Sequence, residues 1–188
     1  ILLAFGLVIL IIFLFLRSWR TTLIPIIAIP VSLVGSFFIM YLADFSINVL
    51  TLLGIVLAIG IVVDDAIVVL ENIYRKIEDG MTPYEASIKG SSEIFFAVVS
   101  TTITLAAVFL PIMFLQGITG RLFVEFGVVI AGSVIISSFV ALTLTPMLSS
   151  KILKPHEKHS WFYNKTEPFF TWLENSYRNS LEKFMQKR

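Results

Sequence analysis

Two adjacent carboxylates, Asp64 and Asp65, interrupt a long apolar stretch at 47–70. This stretch exceeds the roughly 20 residues that an α-helix needs to cross a bilayer. A charged side chain near the bilayer centre costs at least ~2.5 kcal/mol, so an acid at that depth indicates a functional site. The other long apolar runs contain no Asp, Glu, Lys, Arg or His. Asp64 and Asp65 are therefore the residues predicted to carry the chemistry.

Adjacent positions on a helix point about 100° apart, which limits what such a pair can do. Two interacting acids titrate as a coupled unit, a property suited to binding and releasing protons. A buried ion pair that only fixes helix packing is the structural alternative. A sodium site is the nearest functional alternative, although such sites usually use unwound backbone carbonyls. An intramembrane aspartyl protease needs two acids that face each other, so no enzyme activity is predicted.

Glu71 and Asn72 follow at the end of the same apolar stretch. Solvation is the ordinary role of polar side chains at a helix end, and an accessory role beside the acid pair is the alternative. The sequence contains no cysteine, and its two histidines lack a cluster of partner ligands, so neither a metal site nor a cofactor is predicted.

The composition is that of a membrane protein. Of the 188 residues, 57% are hydrophobic and 14% are charged, whereas a soluble domain carries roughly 25% charge. The lipid bilayer is thus an expected partner, and a net charge of +1 gives no indication of nucleic-acid binding. The chain begins with Ile1 inside an apolar run, without Met or a basic leader. We expect a piece of a longer polypeptide and no signal peptide.

Apolar runs separated by polar segments predict an all-α membrane protein. Over residues 1–148 we expect a bundle of five transmembrane helices at 1–16, 21–42, 47–70, 94–115 and 126–148. Residues 71–93 are polar and predict a cytoplasmic loop with a short helix, which a capping box at 82–85 begins and Gly90 ends. A turn is expected at 116–125.

Residues 149–188 predict a cytoplasmic linker followed by an amphipathic helix. From Trp161 onward, apolar side chains recur at steps of three and four residues, namely Phe170, Leu173, Tyr177, Leu181 and Phe184. Pro168 suits a first helical turn. The pattern is typical of a helix that lies on the membrane surface, and a helix packed on a soluble domain is the alternative.

The basic residues predict the orientation in the membrane. All but one of the 14 Lys and Arg residues follow the first, third or fifth predicted span or lie in the tail, and Arg121 is the exception. Basic loops remain on the cytoplasmic side, so these segments are predicted to be cytoplasmic. The turns at Asp44 and Gly120 should face the outside.

Segment 60–72, Gly-Ile-Val-Val-Asp-Asp-Ala-Ile-Val-Val-Leu-Glu-Asn, resembles the fourth transmembrane helix of the resistance-nodulation-division pumps. The similarity is to their hydrophobe/amphiphile efflux branch, of the acriflavine-resistance type. Further stretches that resemble this family are spread along the chain, at 20–25, 44–48, 109–113, 117–120 and 142–146.

The resemblance implies that the five spans are helices two to six of a twelve-helix transporter. It implies proton-coupled export of hydrophobic or amphiphilic compounds across the bacterial inner membrane. Asp64 and Asp65 would carry the proton relay, and their cationic partner would come from helices outside this chain. The full assembly so implied is a homotrimer with porter domains, a periplasmic adaptor and an outer-membrane channel.

Two other classes of membrane protein stay open at this point. One is a transporter with the same fold that carries a lipid, a metal ion or a polypeptide, because a fold does not determine its cargo. The other is a non-transporting sterol-sensing-like module. Such a module would not require an acid pair at mid-membrane, so the pair favours a transporter.

Overall fold

The structure, a computed structural model, describes residues 2–154 and 161–185, except for some of the side chains in these two ranges. The described residues contain no strand. They form six α-helices, α1 (Leu2–Leu16), α2 (Trp19–Leu42), α3 (Val49–Glu78), α4 (Pro83–Phe109), α5 (Gly117–Ile152) and α6 (Trp161–Met185). A short 3-10 helix, Leu110–Phe114, follows α4. The chain divides into two compact units, Ile1–His156 and Glu157–Arg188.

The all-α membrane class predicted from the sequence is confirmed. Four helical stretches are long and apolar enough to cross a membrane, namely Trp19–Leu42, Val49–Glu78, Pro83–Ile112 and Phe123–Ile152. α1 is also apolar but has only 15 residues, fewer than the roughly 20 that a span needs. A membrane crossing by residues 1–16 therefore stays a prediction.

The segment expected to be a loop at 71–93 is largely helical. α3 continues to Glu78 and α4 begins at Pro83, so a short connection joins them. The predicted capping residue is confirmed, because Thr82 is the N-cap of α4. Its Oγ1 accepts from the Glu85 backbone N–H over 3.3 Å and donates to the Glu85 carboxylate over 2.9 Å.

Two predicted boundaries are wrong. Gly90 does not end a helix but lies inside α4 at a close approach to α3, where an added Cβ would lie 2.9 Å from Ile73 Cγ1 and 3.1 Å from Ile73 Cα. The turn expected at 116–125 is already helical from Gly117 onward, which has a φ of 83°.

α5 is the central helix of the first unit and packs against α2, α3 and α4. Gly54 of α3 approaches Ile130 of α5, and farther along both helices Val62 meets Ser137. α3 and α5 therefore run in the same direction.

α4 runs in the opposite direction to α3. Near the connection between them, Ile73 meets Gly90, and farther along α4 a cavity is lined by Asp64 and Thr101. We call the end of the bundle where α3 and α5 end and α4 begins the basic end, because Arg75, Lys76, Lys89 and Lys151 are there.

The opposite end of the bundle is fixed by Asn48, the N-cap of α3. Its side-chain Oδ1 accepts from the backbone N–H groups of Leu50 and Thr51, each over 2.9 Å. Its Nδ2 donates to Glu125 of α5 over 2.6 Å. One side-chain amide thus caps α3 and joins it to α5. The bond fixes the position of α3 relative to α5 along the helix axes.

The second unit contains α6, whose helical structure agrees with the sequence pattern. Pro168 lies inside this helix and well beyond its first turn, so the prediction for that proline is wrong. The side chains of Phe170 and Leu173 are outside those that the structure describes. The three other side chains of the predicted apolar pattern are exposed, namely Tyr177, Leu181 and Phe184. Attachment of α6 to a membrane surface stays a prediction.

Candidate functional site

Asp64 and Asp65 lie near the midpoint of α3, a helix of 30 residues. At 1.5 Å per residue both acids are about 20 Å from either end of this helix. The helix is continuous through the pair, so its backbone carbonyls stay in intrahelical hydrogen bonds there. The chemistry of this position thus comes from the two carboxylates themselves.

The two carboxylates have different surroundings. Asp65 is 8% exposed and lies on the buried face of α3, where Ala66 and Val69 belong to the apolar core. Asp64 is exposed at the surface of the unit. A single step along the helix therefore places one acid inside the bundle and the other at its open side.

A cavity of about 200 Å³ between α3 and α4 contains both acids. Its wall is otherwise apolar except for Thr101, and it is formed by Ile61, Asp64, Asp65, Val68, Ala97, Val98, Thr101 and Leu105. The Thr101 hydroxyl donates to the Val98 carbonyl over 2.8 Å. Among the described residues, no cation forms an ion pair with either acid. A water molecule occupies roughly 30 Å³ in the liquid, so the cavity has room for several.

Ser137 supports α3 just before the acid pair. Its Oγ donates to the backbone carbonyl of Val62 over 2.9 Å, and both residues are buried. This hydrogen bond joins α5 to α3 two residues before Asp64. The sequence analysis missed Ser137, because a serine in a membrane helix is common and its partner is a backbone atom.

Asn72 lies at a separate contact between α3 and α4. Its Nδ2 donates to the Gly90 carbonyl over 2.8 Å and lies 3.5 Å from Glu93 Oε2. One turn farther on, Lys76 Nζ lies 2.7 Å from both carboxylate oxygens of Glu93. Together these contacts fasten α3 to α4 at the basic end.

Neither of the two candidate accessory residues reaches the acid pair. Asn72 is eight residues beyond Asp64, about 12 Å along the helix, and its amide is directed to α4. Glu71 is exposed. The structure thus brings Asp64 and Asp65 together with Thr101, and places Glu71 and Asn72 elsewhere.

Fold and site together define a multi-pass α-helical membrane protein with an acid pair at the middle of one of its membrane-length helices. Intramembrane acids of this kind mark ion or substrate pathways. The profile of the AcrB/AcrD/AcrF family matches residues 1–188. The chain therefore belongs to the AcrB/AcrD/AcrF family, and its resemblance to the resistance-nodulation-division pumps is confirmed.

Individual relatives agree with this assignment. The chain is 54% identical over 157 residues to the multidrug resistance protein MdtC of Pectobacterium atrosepticum, a match that covers 84% of the chain and 15% of the relative. It is 52% identical over 157 residues to MdtC of Pantoea ananatis, with the same coverage. An uncharacterized transporter of Haemophilus influenzae is 49% identical over 181 residues, or 96% of the chain and 18% of that protein. The chain thus spans less than a fifth of the length of these relatives.

Proposed function

We propose that the protein containing this chain exports hydrophobic or amphiphilic compounds in exchange for protons, with Asp64 and Asp65 as its proton relay. The observation that carries the proposal is the acid pair at the middle of α3, where Asp65 is buried, Asp64 is exposed and both line one cavity. The MdtC relatives are named multidrug resistance proteins, and this supports drug-like compounds as the exported substrates.

In the proposed mechanism, the ionised pair attracts a cation contributed by helices outside this chain. Protonation removes that attraction, and α3 then favours a different packing against the helices that contribute the cation. Each proton that crosses a potential of 100 mV supplies about 2.3 kcal/mol, in addition to the pH gradient. This free energy performs work only because protonation stabilises the two helix arrangements differently.

The contacts of α3 restrict where it can move. Asn72 and Lys76 fasten it to α4 at the basic end, Ser137 fastens it to α5 near the acids, and Asn48 does so at the opposite end. We infer that α3 responds to protonation as one body with α4 and α5. The changing contacts are then at the open side of the cavity, beside Asp64.

The setting that we propose is the inner membrane of a bacterium, with the basic end of the bundle in the cytoplasm. The complete pump would be a homotrimer that works with a periplasmic adaptor and an outer-membrane channel. Family membership supports this assembly. Cargo binding belongs to porter domains outside the chain.

The test replaces each acid by its amide in the full-length pump, as Asp64→Asn and Asp65→Asn. The amide keeps the size and hydrogen bonding of the side chain but cannot titrate. We expect both variants to assemble in the membrane and to lose gradient-driven efflux. Asp44→Asn is the matched control, because Asp44 is exposed at a turn with a φ of 55°, which Asn tolerates. Substantial efflux by both acid variants, measured per assembled pump, would overturn the proposal.

A further inference from the structure

An open groove lies between α4 and α5, separate from the cavity that contains the acid pair. It has a volume of about 210 Å³. A water molecule takes up roughly 30 Å³ in the liquid, so the groove has room for a group of the size of a phosphate. Its wall is formed by Ser91, Ser92, Phe95, Phe96 and Leu142. None of these residues lines the cavity of the acid pair.

The groove has a polar part and an apolar part. The two serines lie one turn closer than the two phenylalanines to the basic end, where α4 begins. The Ser91 hydroxyl donates to the Ser87 carbonyl over 2.7 Å. The Ser92 hydroxyl has no hydrogen bond within the described part of the chain, so it is able to donate to a ligand.

The charges of α4 place the groove at the edge of the hydrocarbon layer. Lys89 and Glu93 are exposed, and a charged side chain is costly within hydrocarbon. From Ile94 to the end of α4 at Phe109, no residue is charged. The boundary between headgroups and hydrocarbon therefore falls close to Glu93, at the height of the groove. At this depth the phosphate of a phospholipid is joined to its acyl chains.

Lys89 supplies a positive charge beside the polar part of the groove. Residues three apart are neighbours on a helix surface, so Lys89 lies next to Ser92. Among the described residues, Lys89 forms no ion pair. Glu93, one turn later, is paired with Lys76 over 2.7 Å, and Glu85, one turn earlier, accepts from the N-cap hydroxyl of α4. Lys89 is therefore available to an anionic ligand at this depth.

Two kinds of occupant combine an anionic group with an apolar part, namely a phospholipid and a further helix of the pump. A further helix would need an acid of its own at this boundary, whereas every phospholipid carries its phosphate there. Phe95 and Phe96 are 45% and 79% exposed, and they extend the groove into the hydrocarbon layer as acyl chains do. The charge and the depth together favour a phospholipid.

We propose that the groove between α4 and α5 binds a phospholipid whose headgroup has a net negative charge. Lys89 and Ser92 bind the phosphate, and an acyl chain packs against Phe95, Phe96 and Leu142. Basic sites between membrane helices on the cytoplasmic side bind anionic headgroups in this way. The lipid belongs to the leaflet at the basic end of the bundle, and its binding does not depend on the proton relay.

The test on the parent protein uses photoactivatable lipids and the full-length pump in phosphatidylcholine vesicles. One probe is phosphatidylglycerol with a diazirine on its acyl chain, and the other is phosphatidylcholine with the same chain. Illumination attaches a probe to the side chains that it touches, and mass spectrometry of peptides locates the label. We expect label at Phe95, Phe96 or Leu142, and about fivefold more of it with the anionic probe, which is the effect of one lysine near a membrane surface.

Lys89→Gln removes the charge and keeps most of the length of the side chain. We expect this variant to lower labelling by the phosphatidylglycerol probe about fivefold, to the level of the phosphatidylcholine probe. Ser92→Ala should lower labelling in the same direction. Lys151→Gln is the matched control and should keep the parent level. Lys151 is exposed at the same end of the bundle but, nine residues after Leu142, lies on the opposite side of α5.

Three results would overturn the proposal. Equal labelling by the two probes would show that the groove has no preference for an anionic headgroup. Absence of label with both probes would show that another part of the pump covers the groove. Parent-level labelling of a fully assembled Lys89→Gln pump would show that this charge is not part of a lipid site. If the variants fail to assemble, the comparison of the two probes on the parent pump decides the question.

Discussion

Ser137 Oγ donates a buried hydrogen bond to the backbone carbonyl of Val62, over 2.9 Å. The bond joins α5 to α3 within one turn of Asp64 and Asp65. Its donor and acceptor are both excluded from lipid and solvent, so the helix that carries the acid pair has a fixed partner on its buried side. Movement of the acids relative to α5 requires this bond to break.

Replacing Ser137 by Ala should lower the stability of the bundle by ~0.6 kcal/mol, the average for hydrogen bonds between membrane helices. The measurement is the apparent melting temperature of the full-length pump in detergent. Ser133→Ala is the control, because that hydroxyl bonds within α5 and not to another helix. Equal melting temperatures for the two variants would show that the bond between the helices contributes nothing.

Gly90→Ala should separate α3 from α4 at the basic end. The added Cβ would lie 3.1 Å from Ile73 Cα and 3.2 Å from Ile73 N, and a backbone cannot yield as a flexible side chain does. We expect a loss of ~1–3 kcal/mol, as for overpacked cores. Gly60→Ala is the control, since nothing lies within 4 Å of its Cβ position. A parent-like melting temperature for Gly90→Ala would contradict the close contact.

Asn72→Ala should weaken the bundle without abolishing proton coupling. The Asn72 amide donates to the Gly90 carbonyl over 2.8 Å. Asn72 lies about 12 Å along the helix from Asp64. We expect a reduced melting temperature and retained efflux per assembled pump, whereas Glu71→Gln, at an exposed position, should change neither. Loss of efflux in a fully assembled Asn72→Ala pump would mean that this residue belongs to the relay.

Labelling of introduced cysteines tests the proposed orientation. Ser46 and Asp79 are exposed at opposite ends of α3, and the chain has no cysteine of its own. In cells whose pump lacks other cysteines, a membrane-impermeant maleimide should label Ser46→Cys. The same reagent should label Asp79→Cys only after the membrane is permeabilised. Equal labelling of intact cells at both positions would contradict a cytoplasmic basic end.

The sequence was sufficient to predict the all-α membrane class and the place of the acid pair within a long apolar helix. A carboxylate inside an apolar run is so costly that its position is informative without a structure. The capping residue Thr82 was also predictable, because its hydroxyl acts on a backbone N–H only three residues away.

The contacts between helices were not predictable in the same way. Ser137 donates to a carbonyl 75 residues earlier. Every residue has a backbone carbonyl, so the sequence does not indicate which one accepts the bond. Gly90 was interpreted as a helix end, although the position requires glycine because of Ile73 on another helix. α3 also extends beyond its apolar stretch, since a helix can continue into water after its membrane-spanning part ends.

Proton flux measured with the purified full-length pump in lipid vesicles tests the proposed relay most directly. A proton relay at the acid pair predicts that adding an exported compound accelerates proton movement through the parent pump. Asp65→Asn and Asp64→Asn should abolish this acceleration, while the Asp44→Asn control retains it. Acceleration of proton movement by an exported compound in both acid variants, at parent rates, would contradict the assignment of Asp64 and Asp65 to the relay.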